Sequence, residues 1–466
     1  MKKKRIIPII VIAFSLGVAL LSCSKDDPAV NPTDDGGGPI DDGGGPVGFV
    51  GEIDWLKALG GSGIDEGVDI IRTSDNAYIV VGNTSSNDGD IIDKTTTDQD
   101  FWVLKIAENG DIIWNKTFGG SNNDTARSIT STPDGGYLVV GGTRSNDGDV
   151  TSGNAGFIDF WILKLDASGN KVWDKTYGFS GEDRANDVIQ TKDGGFLVTG
   201  FFDVTASGGQ GNDGREYGNR NHAGGEFWAI KINPNGEYTW RRFFGGFNDD
   251  RSYQALELSS GGFLLLGTSE SPDGDVTDNK GQYDFWVVRI NDLGNLLWAR
   301  SYGGAEIDTG YSGLIAPDGN VLFVGDSRSE DQDVTDHIGN ADLWVVKFAL
   351  NGNLIWSKSL GGSQFESARS IQSMNDGNYL LAGSTRSSDG DVSSNKGQND
   401  AWVVFMDGSG ELVFEKTIGG TSFDFAEHAI TGNLPDTVLM VGSTESGDID
   451  IPGNNGLKDL LLVKLK

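Results

Sequence analysis

The sequence predicts an all-β protein built from seven similar units, on three observations. Glycine, at 70 of 466 residues, recurs at fixed turn positions. Runs rich in aromatic and β-branched residues alternate with Gly, Asn and Asp, and no stretch keeps a 3.6-residue period, so helices should be nearly absent. The twelve tryptophans occupy two registers of one repeat, after a Gly turn or at the start of an apolar run: Trp55, Trp114, Trp173, Trp240, Trp298 and Trp356, then Trp102, Trp161, Trp228, Trp286, Trp344 and Trp402. Together these observations predict a seven-bladed β-propeller with four antiparallel strands in each blade.

The second unit illustrates the four strands. A Pro-Asp-Gly-Gly turn at Pro133 separates the first two, a long polar loop follows the second, and a turn ending at Gly169 precedes the fourth. The strands are predicted at Arg127–Ile129, Tyr137–Gly141, Phe160–Leu165 and Lys171–Trp173. The second strands of successive units start 58 or 59 residues apart, except for one interval of 67, so the units are nearly equal in length.

The order of the strands predicts how the ring closes. The folded part, residues 52–466, opens with a fourth strand around Trp55 and ends with a third strand at Asp459–Lys464. The N-terminal strand should therefore join the last blade and leave no open sheet edge. Each tryptophan register has a seventh position without tryptophan, occupied by Phe414 in one register and by Leu461 in the other.

The turn before each fourth strand carries a spaced pattern, Asp166-x-x-Gly169-x-x-x-Trp173 in the second unit. This pattern resembles the tryptophan repeats of quinoprotein-type propellers, over the last two strands of each blade. The resemblance implies that the tryptophans pack between neighbouring blades. The turn differs from the Asp box of sialidase propellers, because its Asp and Gly are one residue further apart.

Residues 1–22 read as a secretory signal, with a basic start and an apolar stretch from Ile6 to Leu21. The signal ends at Leu20–Cys23, which resembles a bacterial lipobox. The resemblance implies that Cys23, the only cysteine, is lipidated and attaches the protein to a membrane. An incidental cysteine in an ordinary signal peptide is the alternative.

The segment after Cys23 predicts where the anchored protein lies. Ser24–Asp27 looks like the acidic tag of Gram-negative lipoproteins that reach the outer face of the outer membrane. We therefore expect display at the cell exterior. Residues 23–51 are rich in Pro, Gly and Asp and are interpreted as a flexible tether.

The formal net charge of −32 limits the partners. Phosphates would be repelled, so nucleic-acid binding is not expected. Cations and basic surfaces remain candidates, as does the simpler interpretation that the charge only maintains solubility. We expect a monomer.

Acidic residues recur at one position in all seven units, four residues after a Gly-Gly or Gly-Phe pair. Two roles are open for them: bracing the loops through hydrogen bonds to backbone amides, or lining an acidic channel mouth. These acids are Asp65, Asp124, Asp183, Asp250, Asp308, Glu366 and Asp424.

Three connections between second and third strands place oxygen ligands at positions 1, 3, 7 and 12 of one loop, as Ca²⁺ sites do. The sets are Asp389, Asp391, Asn395 and Asp400; Asp273, Asp275, Asn279 and Asp284; and Asp331, Asp333 and Asp342, where His337 replaces the asparagine. The resemblance to an EF-hand is partial, since strands flank the loops and position 12 is Asp. Calcium binding and ordinary Asp-Gly turn chemistry both remain open, and no cofactor is required.

The third unit carries eight or nine extra residues between its second and third strands. They include Arg215, Tyr217, Arg220 and His222, a basic and aromatic group that could bind a ligand. The alternative is an insertion without function.

The sequence contains no nucleophile elbow, zinc-protease motif or phosphate loop, and its three histidines lie in different units. The leading hypothesis is therefore a non-catalytic, lipid-anchored binding module for a glycan, a protein or a divalent cation. The alternatives are an enzyme acting on extracellular polysaccharide at the acidic channel mouth, and a periplasmic assembly scaffold like the eight-bladed lipoprotein propellers.

Overall fold

The computed structural model describes residues 48–213 and 224–466. The predicted signal, Cys23 and nearly all of the predicted tether lie outside these ranges. Within them, no helix is long and apolar enough to cross a membrane. The described residues form one short helix, α1 (Val204–Ser207), and 28 strands: β1 (Ile53–Leu59), β2 (Asp65–Arg72), β3 (Tyr78–Thr84), β4 (Asp100–Ile106), β5 (Ile112–Phe118), β6 (Asp124–Ser131), β7 (Tyr137–Thr143), β8 (Asp159–Leu165), β9 (Lys171–Tyr177), β10 (Arg184–Gln190), β11 (Phe196–Phe202), β12 (Glu226–Ile232), β13 (Tyr238–Phe244), β14 (Asp250–Glu257), β15 (Phe263–Ser269), β16 (Asp284–Ile290), β17 (Leu296–Tyr302), β18 (Asp308–Ile315), β19 (Val321–Ser327), β20 (Asp342–Phe348), β21 (Leu354–Leu360), β22 (Glu366–Ser373), β23 (Tyr379–Thr385), β24 (Asp400–Met406), β25 (Leu412–Ile418), β26 (Asp424–Thr431), β27 (Val438–Thr444) and β28 (Asp459–Leu465).

The strands pair into seven four-stranded antiparallel sheets, which confirms the predicted seven-bladed β-propeller. Blades 1 to 6 are β2–β5, β6–β9, β10–β13, β14–β17, β18–β21 and β22–β25, and blade 7 is β26–β28 with β1. The first strand of each blade contacts the first strands of both neighbouring blades, all the way round. The first strands are therefore innermost, and they surround a central channel.

The N-terminal strand closes the ring as predicted. β1 pairs with β28 in an antiparallel register that includes Leu56 opposite Val463. The amides of Val50 and Glu52 also donate to the Lys466 carbonyl, at 3.2 and 3.1 Å. Blade 7 thus has four strands like the other blades, one of them supplied by the opposite end of the described chain.

The strand boundaries extend those expected from the sequence. In blade 2, β6 begins three residues before the predicted first strand, at the buried Asp124, and β9 continues past Trp173 to Tyr177. The one helix, α1, lies after the second strand of blade 3. Its N-terminal cap is Asp203, whose side chain accepts a hydrogen bond from the Ala206 amide at 3.0 Å.

The third-strand tryptophans form the core between blades. All six are fully buried. Successive blades connect through aromatic contacts: Trp161 of blade 2 lies against Phe101 of blade 1, with ring centroids 4.6 Å apart, and Trp228 of blade 3 repeats this with Phe160 at 4.8 Å. Burial of these large side chains is the main apolar contribution to the association of blades.

The fourth-strand tryptophans join blades at the outer edge. Each packs on the glycine of the turn between the third and fourth strands of the next blade, as Trp114 does on Gly169. Blade 7 has no such turn, and Gly51 takes its place: it has a φ of +71° and lies against Phe414, which occupies the tryptophan register. Phenylalanine thus replaces tryptophan at the interface between blades 6 and 7, the interface at which the segment before β1 supplies the glycine.

We predict that Gly169→Ala destabilises the propeller more than a positive φ alone explains. Gly169 has a φ of +74°, and a Cβ there would lie 2.7 Å from Trp114 Cη2. The left-handed backbone costs an alanine roughly 1–2 kcal/mol, and the clash adds an overpacking cost of about 1–3 kcal/mol. Thermal and urea unfolding measure the sum.

Gly135→Ala is the matched control, because Gly135 has a similar φ of +81° and nothing within 4 Å of the added Cβ. It should carry the backbone cost alone. Equal losses of stability in the two variants would show that the contact between Trp114 and the turn does not hold the blades together.

Candidate functional site: the central channel

A β-bulge in each first strand turns one side chain into the channel. In blade 2 the register of β6 against β7 shifts between Ala126 and Ser128, so Arg127 is the extra residue. Gly141 of β7 lies beside this bulge, where a Cβ would overlap the Thr125 carbonyl oxygen. The glycine that ends each predicted second-strand run therefore permits the bulge in the strand next to it.

The extra residues form one ring around the channel, here called the bulge ring. Its seven members are of five residue types, with arginine and tyrosine each present twice: Val68, Arg127, Asn186, Tyr253, Tyr311, Arg369 and Glu427. All seven border a cavity of about 540 Å³, together with Glu182, Arg184, Phe201 and Arg251. A cavity of this volume is in the range of small-ligand sites.

The next residue of each first strand forms a second ring, the girdle ring, which links all seven blades. Asp69 accepts from the Ile129 amide of blade 2 at 2.9 Å, and Asp187 accepts from Ser128 Oγ and from the Ala255 amide of blade 4. His428 of blade 7 contacts Asp69 through Nδ1 and completes the circle. The members are Asp69, Ser128, Asp187, Gln254, Ser312, Ser370 and His428.

Four arginines and two glutamates border the cavity. At the mouth, Arg184 pairs with Glu182 and Arg251 with Asp249, each at 2.7 Å. Within residues 48–213 and 224–466, Arg127 and Arg369 form no ion pair. The cations that are free to meet a ligand are therefore those of the bulge ring, inside the channel.

Two tyrosines provide an aromatic wall next to Arg369. The Tyr253 and Tyr311 ring centroids are 5.1 Å apart, and the Arg369 guanidinium carbon lies 4.0 Å from the centre of the Tyr311 ring. Burial raises the pKa of both tyrosines. Both phenols are therefore neutral at ordinary pH and present O–H groups and ring faces to the channel.

The face around the mouth carries further arginine–aromatic contacts. It is formed by the connections between second and third strands and by those between blades, which touch each other: the Ser121 amide donates to Asp147 at 2.7 Å. We call it the loop face. Arg144 stacks on Phe157 at 4.0 Å, and Arg328 and Arg386 lie over Phe365 at 5.8 and 5.4 Å.

The recurring acids are located at the starts of the first strands, where they are buried. Asp124, for example, is fully buried and accepts from the Gly120 amide and from Ser145 Oγ, both at 2.9 Å. None of the seven is among the residues that border the channel cavity. The expectation of an acidic channel mouth therefore does not match the structure, in which arginines border the mouth.

A second set of buried acids faces this ring, because each third strand also starts with a carboxylate. Asp159 of blade 2 and Asp183 of blade 3 lie on either side of Gly178. Burial raises the pKa of Asp159 to about 6, and burial, with the nearby Asp159 charge, raises that of Asp183 to about 7. Lysines reach three other such interfaces: Lys94 contacts Asp100, Lys280 contacts Asp333 at 3.0 Å, and Lys396 contacts Asp450 at 3.0 Å.

The predicted calcium ligands are divided between interfaces. Asp391 accepts from the Gly361 amide before blade 6, whereas Asp400 lies beside Gly419 before blade 7. Asp389 and Asn395 accept from the amides of Ser363 and Gly397. Across the described residues, no group of three or more His, Cys, Asp or Glu could hold a metal ion. Calcium at these loops stays a prediction, and the binding function proposed below does not require it.

Carboxylates of the other two predicted calcium-ligand sets also accept hydrogen bonds from backbone amides. Asp273 and Asp331 accept from the amides of Phe247 and Ala305, both at 2.8 Å. Asp284 and Asp342 accept from amides four residues earlier, and His337 lies 3.1 Å from Asp342. Arg215, Tyr217, Arg220 and His222 of the predicted ligand loop lie outside the described residues.

Sequence reasoning missed the bulge ring, although its register is regular. Each member follows the recurring acid of its blade by three residues, as Arg127 follows Asp124 and Tyr253 follows Asp250. The only sequence signal for the bulge ring was therefore this fixed spacing, because no single residue type is common to its members.

Comparisons with known proteins give no family. No protein-family model matches the chain. The regulatory protein FlaEY of Caulobacter vibrioides is 25% identical over 203 residues, which is 40% of this chain and 21% of that protein. The match therefore spans about a fifth of that protein's length.

Three solved structures are similar at low identity. A protein of unknown function from Bacteroides caccae has a TM-score of 0.37 and 12% identity, over 78% of this chain and 99% of that one. The Neurospora crassa Pan2 WD40 domain has a TM-score of 0.47 and 10% identity, over 88% of this chain and 95% of that one. BamB from Moraxella catarrhalis has a TM-score of 0.40 and 11% identity, over 90% of this chain and 100% of that one. The assignment of the fold therefore rests on the strand pairing observed in this chain.

We predict that the free energy of unfolding falls as pH rises from about 4 to about 7, between the unfolded and folded pKa values of the buried carboxyl groups. A carboxyl group whose folded pKa is raised holds its proton in the folded state while the unfolded chain, with a pKa of about 3.9, has lost it. For Asp159 and Asp183 this stabilisation is complete below the unfolded pKa and is lost as pH rises towards about 6 and about 7. Unfolding by urea at each pH measures it.

Asp159→Asn should reduce the loss of stability with rising pH, because an uncharged amide resembles the protonated acid at every pH. Its N–H₂ group can occupy the position of Asp159 Oδ1, a buried oxygen that accepts no hydrogen bond from the described residues. Asp111→Asn, in an exposed turn, is the control and should follow the wild type. An Asp159→Asn protein with the wild-type pH dependence would contradict the assignment.

Proposed function

We propose that the protein is a non-catalytic binding module whose ligand enters the central channel from the loop face. One observation carries the proposal: a cavity of about 540 Å³ to which each blade contributes one bulge-ring side chain, of five residue types in all. A seven-stranded inner wall of this kind fixes polar and aromatic groups on a rigid scaffold, as binding sites require. The variation of the bulge ring contrasts with the repeated residues that hold the blades together.

The alternative of a polysaccharide-cleaving enzyme at an acidic mouth receives less support. The recurring acids are occupied in bracing the loops, as Asp250 does by accepting from Gly246 N and Ser271 Oγ at 2.8 Å. Of the two glutamates that border the cavity, Glu182 is already paired with Arg184 at 2.7 Å, which leaves Glu427, whereas glycosidases use a pair of carboxyl groups on either side of the scissile bond. Binding therefore accounts for the channel more simply.

The position of the N-terminal segment supports display away from a membrane. Gly48 lies beside Asp436, in the turn between β26 and β27, so the chain enters the propeller on the face opposite the loop face. We propose that lipidated Cys23 holds the protein on the outer membrane and that residues 23–51 act as a tether. The channel mouth would then point outwards.

We predict that the full chain binds at least one polysaccharide on an array of bacterial and plant glycans, without releasing reducing ends. Asn186→Trp or Val68→Trp fills the channel and should abolish binding, whatever the chemistry of the ligand. Val172→Trp changes a residue that is 57% exposed on the outer strand β9 and serves as the control. Thermal melting confirms that each variant folds.

Three results would contradict the proposal. Binding that persists in both channel variants would place the ligand elsewhere. Release of reducing ends would indicate an enzyme, and failure to bind any glycan on the array would remove the support for a glycan-binding channel.

We predict that Cys23→Ser moves the protein from the membrane fraction to the soluble fraction, because the acyl chains that anchor it are lost. Protease added to intact cells should degrade the wild type. Full protection of the wild type on intact cells, with degradation after lysis, would favour the periplasmic scaffold instead.

A further inference from the structure

The charge inside the channel runs against that of the whole chain. The chain has a net charge of −32, yet Arg127 and Arg369 point into the cavity and form no ion pair among the described residues. The Arg369 guanidinium stacks on the Tyr311 ring, 4.0 Å from its centre, which leaves the N–H groups at its edge for a ligand. A guanidinium that forms no direct ion pair in a confined, partly dry site favours an anionic ligand group.

The remaining channel groups limit which anion fits. Glu427 in the bulge ring and Asp326 behind it both act electrostatically on Arg369, so a ligand with several negative charges close together would be repelled. Glu427 accepts hydrogen bonds and donates none, which suits ligand hydroxyl groups. Asn186 already donates to the Ser252 carbonyl at 2.8 Å and keeps its side-chain oxygen for another donor.

The wall of the channel favours a sugar over a peptide. Among the residues that the structure describes, Val68 is the only aliphatic side chain bordering the cavity, so there is little to hold apolar peptide side chains. Tyr253 and Tyr311 instead offer ring faces, and Phe201 lies at the mouth beneath Arg251, 4.6 Å from its guanidinium carbon. Aromatic faces next to hydrogen-bonding groups match the apolar C–H face and the hydroxyl edge of a sugar ring.

We propose that the channel binds a uronate residue of an acidic glycan, with Arg127 and Arg369 as the carboxylate-binding groups. This inference rests on the binding function proposed above and names its ligand class. The arginines of the mouth, Arg184 and Arg251, already pair with Glu182 and Asp249 and have a smaller part in it.

The test is calorimetric titration of the full chain with oligomers of galacturonate, glucuronate, mannuronate and guluronate. Each is compared with its own methyl ester, which removes the charge and keeps the sugar. At least one oligomer should bind, its ester should bind about tenfold more weakly or worse, and binding should weaken as salt is raised.

Arg127→Gln and Arg369→Gln should each weaken binding of that oligomer by about tenfold or more. Arg144→Gln is the matched control, because Arg144 lies on the loop face, stacked on Phe157, and does not border the cavity. Arg127→Gln keeps the test valid if Arg369→Gln fails to fold, since Arg127 makes no hydrogen bond within the described ranges.

The outcomes separate this inference from the function on which it rests. Equal binding of acid and ester, lost in Val68→Trp, would overturn the uronate assignment and keep the channel as a site for neutral glycans. Binding of an oligoglutamate peptide in place of every uronate would assign the channel to an acidic protein partner. If uronates bind and Val68→Trp has no effect on them, both the assignment and the channel site fail.

Discussion

The propeller depends on the hydrogen bonds that join its first strands into a closed girdle. A single four-stranded blade has two apolar faces and cannot bury them without neighbours on both sides. Aromatic contacts such as Phe101 with Trp161 supply area, but they do not fix the angle between blades. The girdle does so, because each link joins a side chain to a backbone amide or side chain of the next blade, as Asp69 is joined to Ile129.

The same innermost strands provide both the girdle and the lining of the channel, and the bulge makes this compatible. In a regular strand, alternate side chains face opposite sides. The extra residue lets neighbours such as Arg127 and Ser128 take up different tasks, one in the channel and one between blades. Substitution in the bulge ring thus changes the lining of the channel with little effect on the closure of the ring.

The distribution of charge follows from burial. Acids such as Asp124 and Asp250 replace missing backbone partners in the loops, and their desolvation is offset by several hydrogen bonds each. Much of the negative charge counted in the sequence therefore does not reach the channel. The net charge of a chain predicts its long-range behaviour, but not the sign of the potential inside its central cavity.

The sequence predicted the blades well because their signals are repeated. Tryptophans at two registers and glycines at the turns mark the third and fourth strands, and the position of Trp55 revealed the closing strand. First strands such as Asp124–Ser131 were found only in part, because a bulged strand has no regular alternation. The channel residues escaped notice because Val68, Arg127 and Tyr253 share a position and no chemistry. Whether Asp124 is buried or lies at a mouth depends on side-chain direction, which spacing alone does not give.

The closing strand also determines how the molecule would carry a mechanical load. Because the described chain enters at Gly48 and runs directly into β1, a pull on that segment along the strand acts on the β1–β28 ladder. The ladder is then loaded in shear, with its hydrogen bonds resisting together instead of opening one after another. A load on the N-terminal segment would be borne at this seam, where the contact of Gly51 with Phe414 adds its own resistance to slippage.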